Sequence, residues 1–245
     1  MPHQSEALDG ATGDRLSMME PSKNPTATNP WRDLPLEPPY ALASDRLVLE
    51  RFNQKARPDH QIHLDLLPEP FLGAPDAPVV LLSLNPGFAP EDRIPHGDPT
   101  FQALSRAQLS HAPSPYPFLL LNPAVEAPGR GWWEKKLARL LETCGRERVA
   151  RGVFCVEYFP YHSRRFAHAK IRVPSQEYSF NLVRAALRRE AAIVLMRAER
   201  LWLEAIPELA ASPRLYRLRS RQNVIVSAAN CPEGYDSVVT ALQRD

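Results

Sequence analysis

Residues 79–88 read VVLLSLNPGF, and the rest of the chain is parsed from this stretch. The run VVLLSL is almost wholly apolar and lacks any alternation of wet and dry positions, as in a strand covered on both faces of a parallel sheet. It stops abruptly at Asn85-Pro86-Gly87, where proline removes a backbone donor and glycine frees the dihedrals. Asn85 is therefore either an ordinary turn former or a polar group that a buried strand delivers to a site.

Outward from this strand, apolar runs alternate with helical periods. WWEKKLARLLETCG (132–145) spaces Trp133, Leu137, Leu140 and Leu141 as a helix does and closes on Gly145, a residue suited to a helix end. GVFCVEYF (152–159) reads as a second strand, and SQEYSFNLVRAALRREA (175–191) as an amphipathic helix. AIVLM (192–196) reads as a third strand, followed by a helix through AERLWLEAI (198–206). NVIVSA (223–228) reads as a fourth strand ahead of a last helix, GYDSVVTALQ. This order predicts an α/β fold, a three-layer α/β/α sandwich around a four-stranded, mainly parallel sheet. In such sheets ligands bind beyond the carboxyl ends of the strands. Here those ends carry Asn85 to Phe88, Glu157 to His162, Arg197 to Glu199, and Asn230 to Gly234.

With 245 residues, 44% hydrophobic and 24% charged, the chain suits one sizeable domain. Its first forty residues are rich in Pro, Ser, Thr and Asp without a sustained apolar period, so a disordered tail over 1–40 and a single domain over 41–245 are expected. No apolar run approaches the ~20 residues of a membrane span, and the amino terminus lacks a secretory layout. A cytoplasmic monomer without a membrane partner is expected. Cys144, Cys155 and Cys231 form no C-x-x-C pair, which points to reduced thiols and to neither a disulfide framework nor a four-cysteine iron–sulfur or zinc site; no metal and no cofactor is expected. The net charge of +2 hides an asymmetry: residues 1–78 hold 7 Lys/Arg against 12 Asp/Glu, whereas residues 151–222 hold 14 against 6. The basic stretch is either a surface for a polyanion or a set of solvated arginines.

The strand-end motifs resemble those of the uracil-DNA glycosylase superfamily, particularly its single-strand-selective and mismatch-specific branches. Ser83-Leu84-Asn85-Pro86-Gly87 is similar to the family's Gly-x-Asn-Pro-Gly after the first strand, and Asn230-Cys231-Pro232-Glu233-Gly234 to a looser form of its motif after the last. VFCVEYFP resembles the family's strand ending in Asn-x-Cys-Pro, with Glu157 standing where an asparagine reads the base. The resemblance covers roughly residues 75–245. It implies a glycosylase-like fold, DNA as partner, single-stranded or damaged, and hydrolysis of the bond between a flipped base and its sugar.

On that resemblance Asn85 would orient the attacking water, while His162 and Asn230 would donate hydrogen bonds to the base. Because an amide is not a strong base, such a site works by positioning and by stabilising the departing base. Ser83, Pro86, Gly87, Phe88, Glu157 and Tyr158 would surround the base, with Phe88 stacking on it. Ionised Glu157 accepts hydrogen bonds only, which suits an exocyclic amine or a protonated base. Arg130, Arg164, Arg165, Lys170 and Arg172 are the candidates for phosphate contact. Plainer readings stand beside these: Glu157 paired with Arg164 or Arg165, His162 as a loop residue, Cys231 as a buried thiol, Trp132 and Trp133 as packing. Three functions remain open: a glycosylase-like repair enzyme, a nucleic-acid-binding protein that has lost catalysis, and an α/β enzyme acting on a small nucleoside or nucleotide.

Overall fold

The computed structural model describes residues 28–244. Seven strands are present among them: β1 (Ile62–His63), β2 (Phe71–Leu72), β3 (Val79–Ser83), β4 (Val153–Glu157), β5 (His162–Ser163), β6 (Ala192–Leu195) and β7 (Leu215–Arg217). Five of them form the main sheet in the order β2-β4-β3-β6-β7. Only β2 runs antiparallel to its neighbour; β4, β3, β6 and β7 are parallel. β1 and β5 pair separately as an antiparallel ribbon.

Eight α-helices accompany the sheet in the described residues: α1 (Ala43–Asn53), α2 (Arg93–Gly97), α3 (Pro99–Leu109), α4 (Pro128–Cys144), α5 (Arg146–Gly152), α6 (Gln176–Arg188), α7 (Glu199–Ala205) and α8 (Tyr235–Gln243). None is long and apolar enough to cross a membrane. Successive strand residues point to opposite faces of the sheet, and both faces are dry. Val80, Leu82, Phe154, Val156, Ile193 and Leu195 pack with Leu49, Phe180 and Trp202 from α1, α6 and α7. Val79, Leu81, Val153, Cys155, Ala192 and Val194 pack with Leu137, Val149 and Val238 from α4, α5 and α8. The unbroken apolar content of VVLLS follows from this double cover.

Three of the expected strands stand where the sequence puts them. The fourth does not: the outer parallel strand is β7, and residues 223–228 form no strand. Val224 and Val226 are fully buried against the α4 side, and the Val226 N–H donates to Lys136 O at 2.9 Å. Their alternation reflects packing against a helix, without a ladder. β7 is three residues long and lies among arginines, so its apolar signal is faint.

The tail expected over 1–40 needs a similar correction. Residues 1–27 lie outside the described residues, but residues 28–40 are packed. Trp31, Leu34 and Tyr40 are buried. Asn29 caps the short turn Pro30–Asp33 through its side-chain oxygen, while its amide donates to Leu109 O at 2.7 Å. Arg106 donates to Pro35 O at 2.7 Å and to Leu36 O at 3.1 Å. Three anchored side chains outweigh the proline-rich composition that suggests disorder.

Candidate active site at the strand ends

The pairing of β3 with β4 sets Ser83 opposite Glu157, so both strands end side by side. Beyond them lies a cavity of about 450 Å³ lined by residues from both ends. Its floor begins at Ser83, whose carbonyl accepts the Trp202 indole N–H at 2.7 Å. That bond fixes the end of β3 to α7.

Asn85 follows, half-buried, with its amide NH₂ donating to Pro86 O at 2.8 Å and to Ser163 Oγ at 2.9 Å. Both donors are thus engaged, and the side-chain oxygen makes no hydrogen bond within the described residues. The amide is held in one orientation with its acceptor unused. Gly87 is exposed with open space beside its α-carbon, and its carbonyl faces His162. Phe88 lines the cavity but is already stacked on His63, at 3.5 Å between ring centres, and Arg93 lies 4.7 Å from its ring.

Glu157 is 4% exposed and lines the same cavity. One carboxylate oxygen is 4.0 Å from Cys155 Sγ; the other is buried without a partner. Burial pushes its pKa up to about 7, against the neighbouring Ser83 hydroxyl and the Arg197 charge, which favour ionisation. The alternative pairing with Arg164 or Arg165 does not occur: those guanidiniums lie 3.7 and 3.8 Å from Asp59.

Two further groups escape a reading from strand ends. Glu69 precedes β2 in the proline-broken stretch LPEPF, where the sequence offers no period to place it. Its N–H donates to Pro160 O and the Glu157 N–H donates to Pro70 O, both at 2.9 Å, which sets the two acids side by side on the cavity wall. Burial, then the charges of Glu157 and Asp92, push Glu69 up to about 8. His96, at the end of α2, accepts the Leu67 N–H on Nδ1 at 3.0 Å. The proton therefore sits on Nε2, and burial holds the ring pKa at about 3, so His96 is a neutral donor at ordinary pH.

His162 lines the cavity, yet both ring nitrogens face backbone carbonyls, Gly87 O at 2.7 Å and Leu67 O at 3.1 Å. It acts as a strut between the Asn85 turn and the segment before β2. Burial pushes its pKa down, partly opposed by those two carbonyls. Aromatic surface comes from Phe101, Trp132, Trp133 and Phe166; Trp133 is buried core, while Trp132 stands 37% exposed at the rim.

Several expected site residues lie elsewhere. Asn230 spends its side chain on its own loop, donating to Asn223 O and Ile225 O and accepting from the Ser220 N–H, so the echo of Asn85 is turn chemistry. Cys231 is a buried thiol of the core. Tyr158 packs with Phe180 and Trp202 on the other face of the sheet. Arg130 is tied to Glu134, Pro123 O and Val125 O. Arg172 lies over Phe180 at 4.8 Å, and Lys170 is exposed away from the cavity. Of the expected basic set, Arg164 alone lines it, joined by Arg197, whose Nε is buried without a partner. Among the described residues no group of three or more His, Cys, Asp or Glu is placed to hold a metal ion.

The fold and the cavity define an α/β protein with a mixed, mostly parallel sheet and a candidate site at its carboxyl edge. Comparison with protein-family models, curated proteins and solved structures yields no match.

Proposed function

We propose that the cavity receives a base swung out of a DNA strand and that the protein hydrolyses the bond joining this base to its sugar. The observation that carries the reading is the meeting of Asn85, with its amide acceptor unused, and Glu157, a buried carboxyl with one oxygen unpartnered, in one strand-end cavity. The resemblance to the uracil-DNA glycosylase superfamily supports it through the same strand-end position of the Asn-Pro-Gly turn.

In this reading the C1′–N bond breaks and its electron pair leaves with the base. Protonated Glu157 donates a proton to the base, and a water oriented by the Asn85 oxygen adds to C1′ and gives up a proton to solvent. Burial keeps Glu157 protonated into the neutral range, where a general acid works best. Glu69, also raised, accepts from an exocyclic amine or, when protonated, donates to a ring nitrogen, and the fixed Nε2–H of His96 donates to a carbonyl or ring nitrogen. The exposed rim Trp132 and the nearby arginines favour a polymer over a free nucleoside.

The test is a panel of labelled oligonucleotides, each with one modified base, assayed for abasic sites. Wild type releases one class of base, while Asn85→Ala and Glu157→Gln lose at least about a hundredfold in rate with their melting retained. A wild-type protein that leaves every member of the panel intact rejects the excision reading.

A further inference from the structure

Next to the base cavity, beyond the ends of β6 and β7, runs an open trough of about 970 Å³. It shares two lining residues with the cavity, Leu84 and Arg197. Five arginines line it, Arg197, Arg200, Arg217, Arg219 and Arg221, against two acids, Glu199 and Glu204. Glu199 holds Arg217 at 2.6 Å and Arg221 at 3.1 Å, and Glu204 lies 3.6 Å from Arg200. Arg197 and Arg219 pair with no carboxylate among the described residues. The surplus positive charge thus belongs to a built surface, with Glu199 orienting two of its guanidiniums.

We propose that this trough is the track for the phosphodiester backbone of a single-stranded nucleic acid, with the nucleotide at Leu84 and Arg197 turning its base into the neighbouring cavity. The proposal rests on the reading of that cavity as a base site. Planar guanidiniums match phosphate oxygens two at a time, and here they are spread over three segments: the end of β6 with α7, β7, and the loop after it. A single small anion cannot engage all of them; a chain of phosphates can. The lining between them is aliphatic, Met196, Leu201, Leu203 and Leu218, with no aromatic ring on which bases could stack. Single-strand binders that hold bases rely on such rings. The aromatic surface lies instead in the cavity, beside the raised carboxyls. Phosphate chemistry and base chemistry are therefore separated into two compartments that touch at Arg197. This placement also moves the nucleic-acid face away from Lys170 and Arg172, which lie outside both spaces.

The experiment is an anisotropy titration of the full chain with a fluorescein-labelled, unmodified oligothymidylate of about twenty nucleotides, from roughly 50 to 200 mM salt. The substitutions fall on exposed side chains, Arg200→Gln, Arg219→Gln and Arg221→Gln combined. The expected result is binding weakened about tenfold or more at the low-salt end, with the log–log salt slope reduced by about 2, near 0.7 for each phosphate left unneutralised. The corresponding triple Lys variant keeps the slope, and Arg164→Glu/Arg165→Glu alters it less than the Gln triple does. A Gln triple that binds as wild type at every salt concentration overturns the proposal. So does a poly-glutamate that displaces the oligonucleotide as well as DNA of equal charge, since that is the behaviour of an acidic-peptide site. Because the probe carries no modified base, salt-dependent wild-type binding that the Gln triple loses, together with no abasic-site formation on the modified panel, would support the track and strike the excision reading alone.

Discussion

Glu157 and Glu69 are the residues whose chemistry departs most from a structural role. Both carboxyls are raised, to about 7 and about 8, by burial first. On these two groups the native state therefore holds protons that the unfolded chain has released, and their contribution to stability is full below the ordinary carboxylate range and lost as pH rises through about 7 to 8. Glu157→Gln removes its share of that slope, on the order of 3 kcal/mol between pH 4 and 9. Melting temperatures of wild type and variant across that range check it; parallel curves would show that Glu157 titrates normally. For turnover the sign is the same: with Glu157 as acid, the rate is retained below pH 7 and lost as pH rises through its pKa. At this scale the placing of Asn85 and Glu157 was legible because Glu157 ends a buried strand and Asn85 lies two residues past the end of another. Glu69 and His96 were not, since they sit on proline-broken segments that carry no period. Asn230 misled because an Asn near Pro and Gly looks the same whether it serves a ligand or its own turn.

Among the elements, the strands with continuous apolar runs were legible, and the short edges were not. β2 holds two residues and β7 three, too few for any period to emerge. The edge at β2 depends on Gly73, which has φ +105° and no room for a side chain: a Cβ would collide with the Val153 carbonyl oxygen. Gly73→Ala costs about 3 kcal/mol, by strain and by displacing β2 from β4. Urea unfolding measures this, and a loss below 1 kcal/mol would mean that the edge is not held as described. Ala198, the cap of α7, is left-handed at φ 58° and carries Arg197 and Glu199 on either side. Replacing it with Gly relieves about 1 kcal/mol of backbone strain, offset by a similar gain in unfolded-state freedom. Stability stays within about 1 kcal/mol of wild type. Ala198→Val costs about 2 kcal/mol, because a branched side chain tolerates that conformation poorly. The same melts compare the two, and a Val variant as stable as the Gly variant would remove the strain argument.

Across the whole molecule the two-sided core was legible in the alternation of strands and helices, whereas the packed segment over 28–40 was hidden by its prolines. Trp31 meets Tyr161 edge-on at 6.0 Å and is 2% exposed, so Trp31→Ala costs about 3 kcal/mol. A thermal melt within one degree of wild type would return this segment to the status of a loose tail. The sheet also has two very short rims, with Pro68 and Pro70 beside the two residues of β2 and Pro213 beside the three of β7. A neighbouring copy finds almost no free ladder to extend. Deterioration of a concentrated sample therefore passes through unfolded chains, and folded molecules do not add to one another strand by strand. Thioflavin fluorescence of protein kept well below its melting point stays flat for as long as the fold lasts.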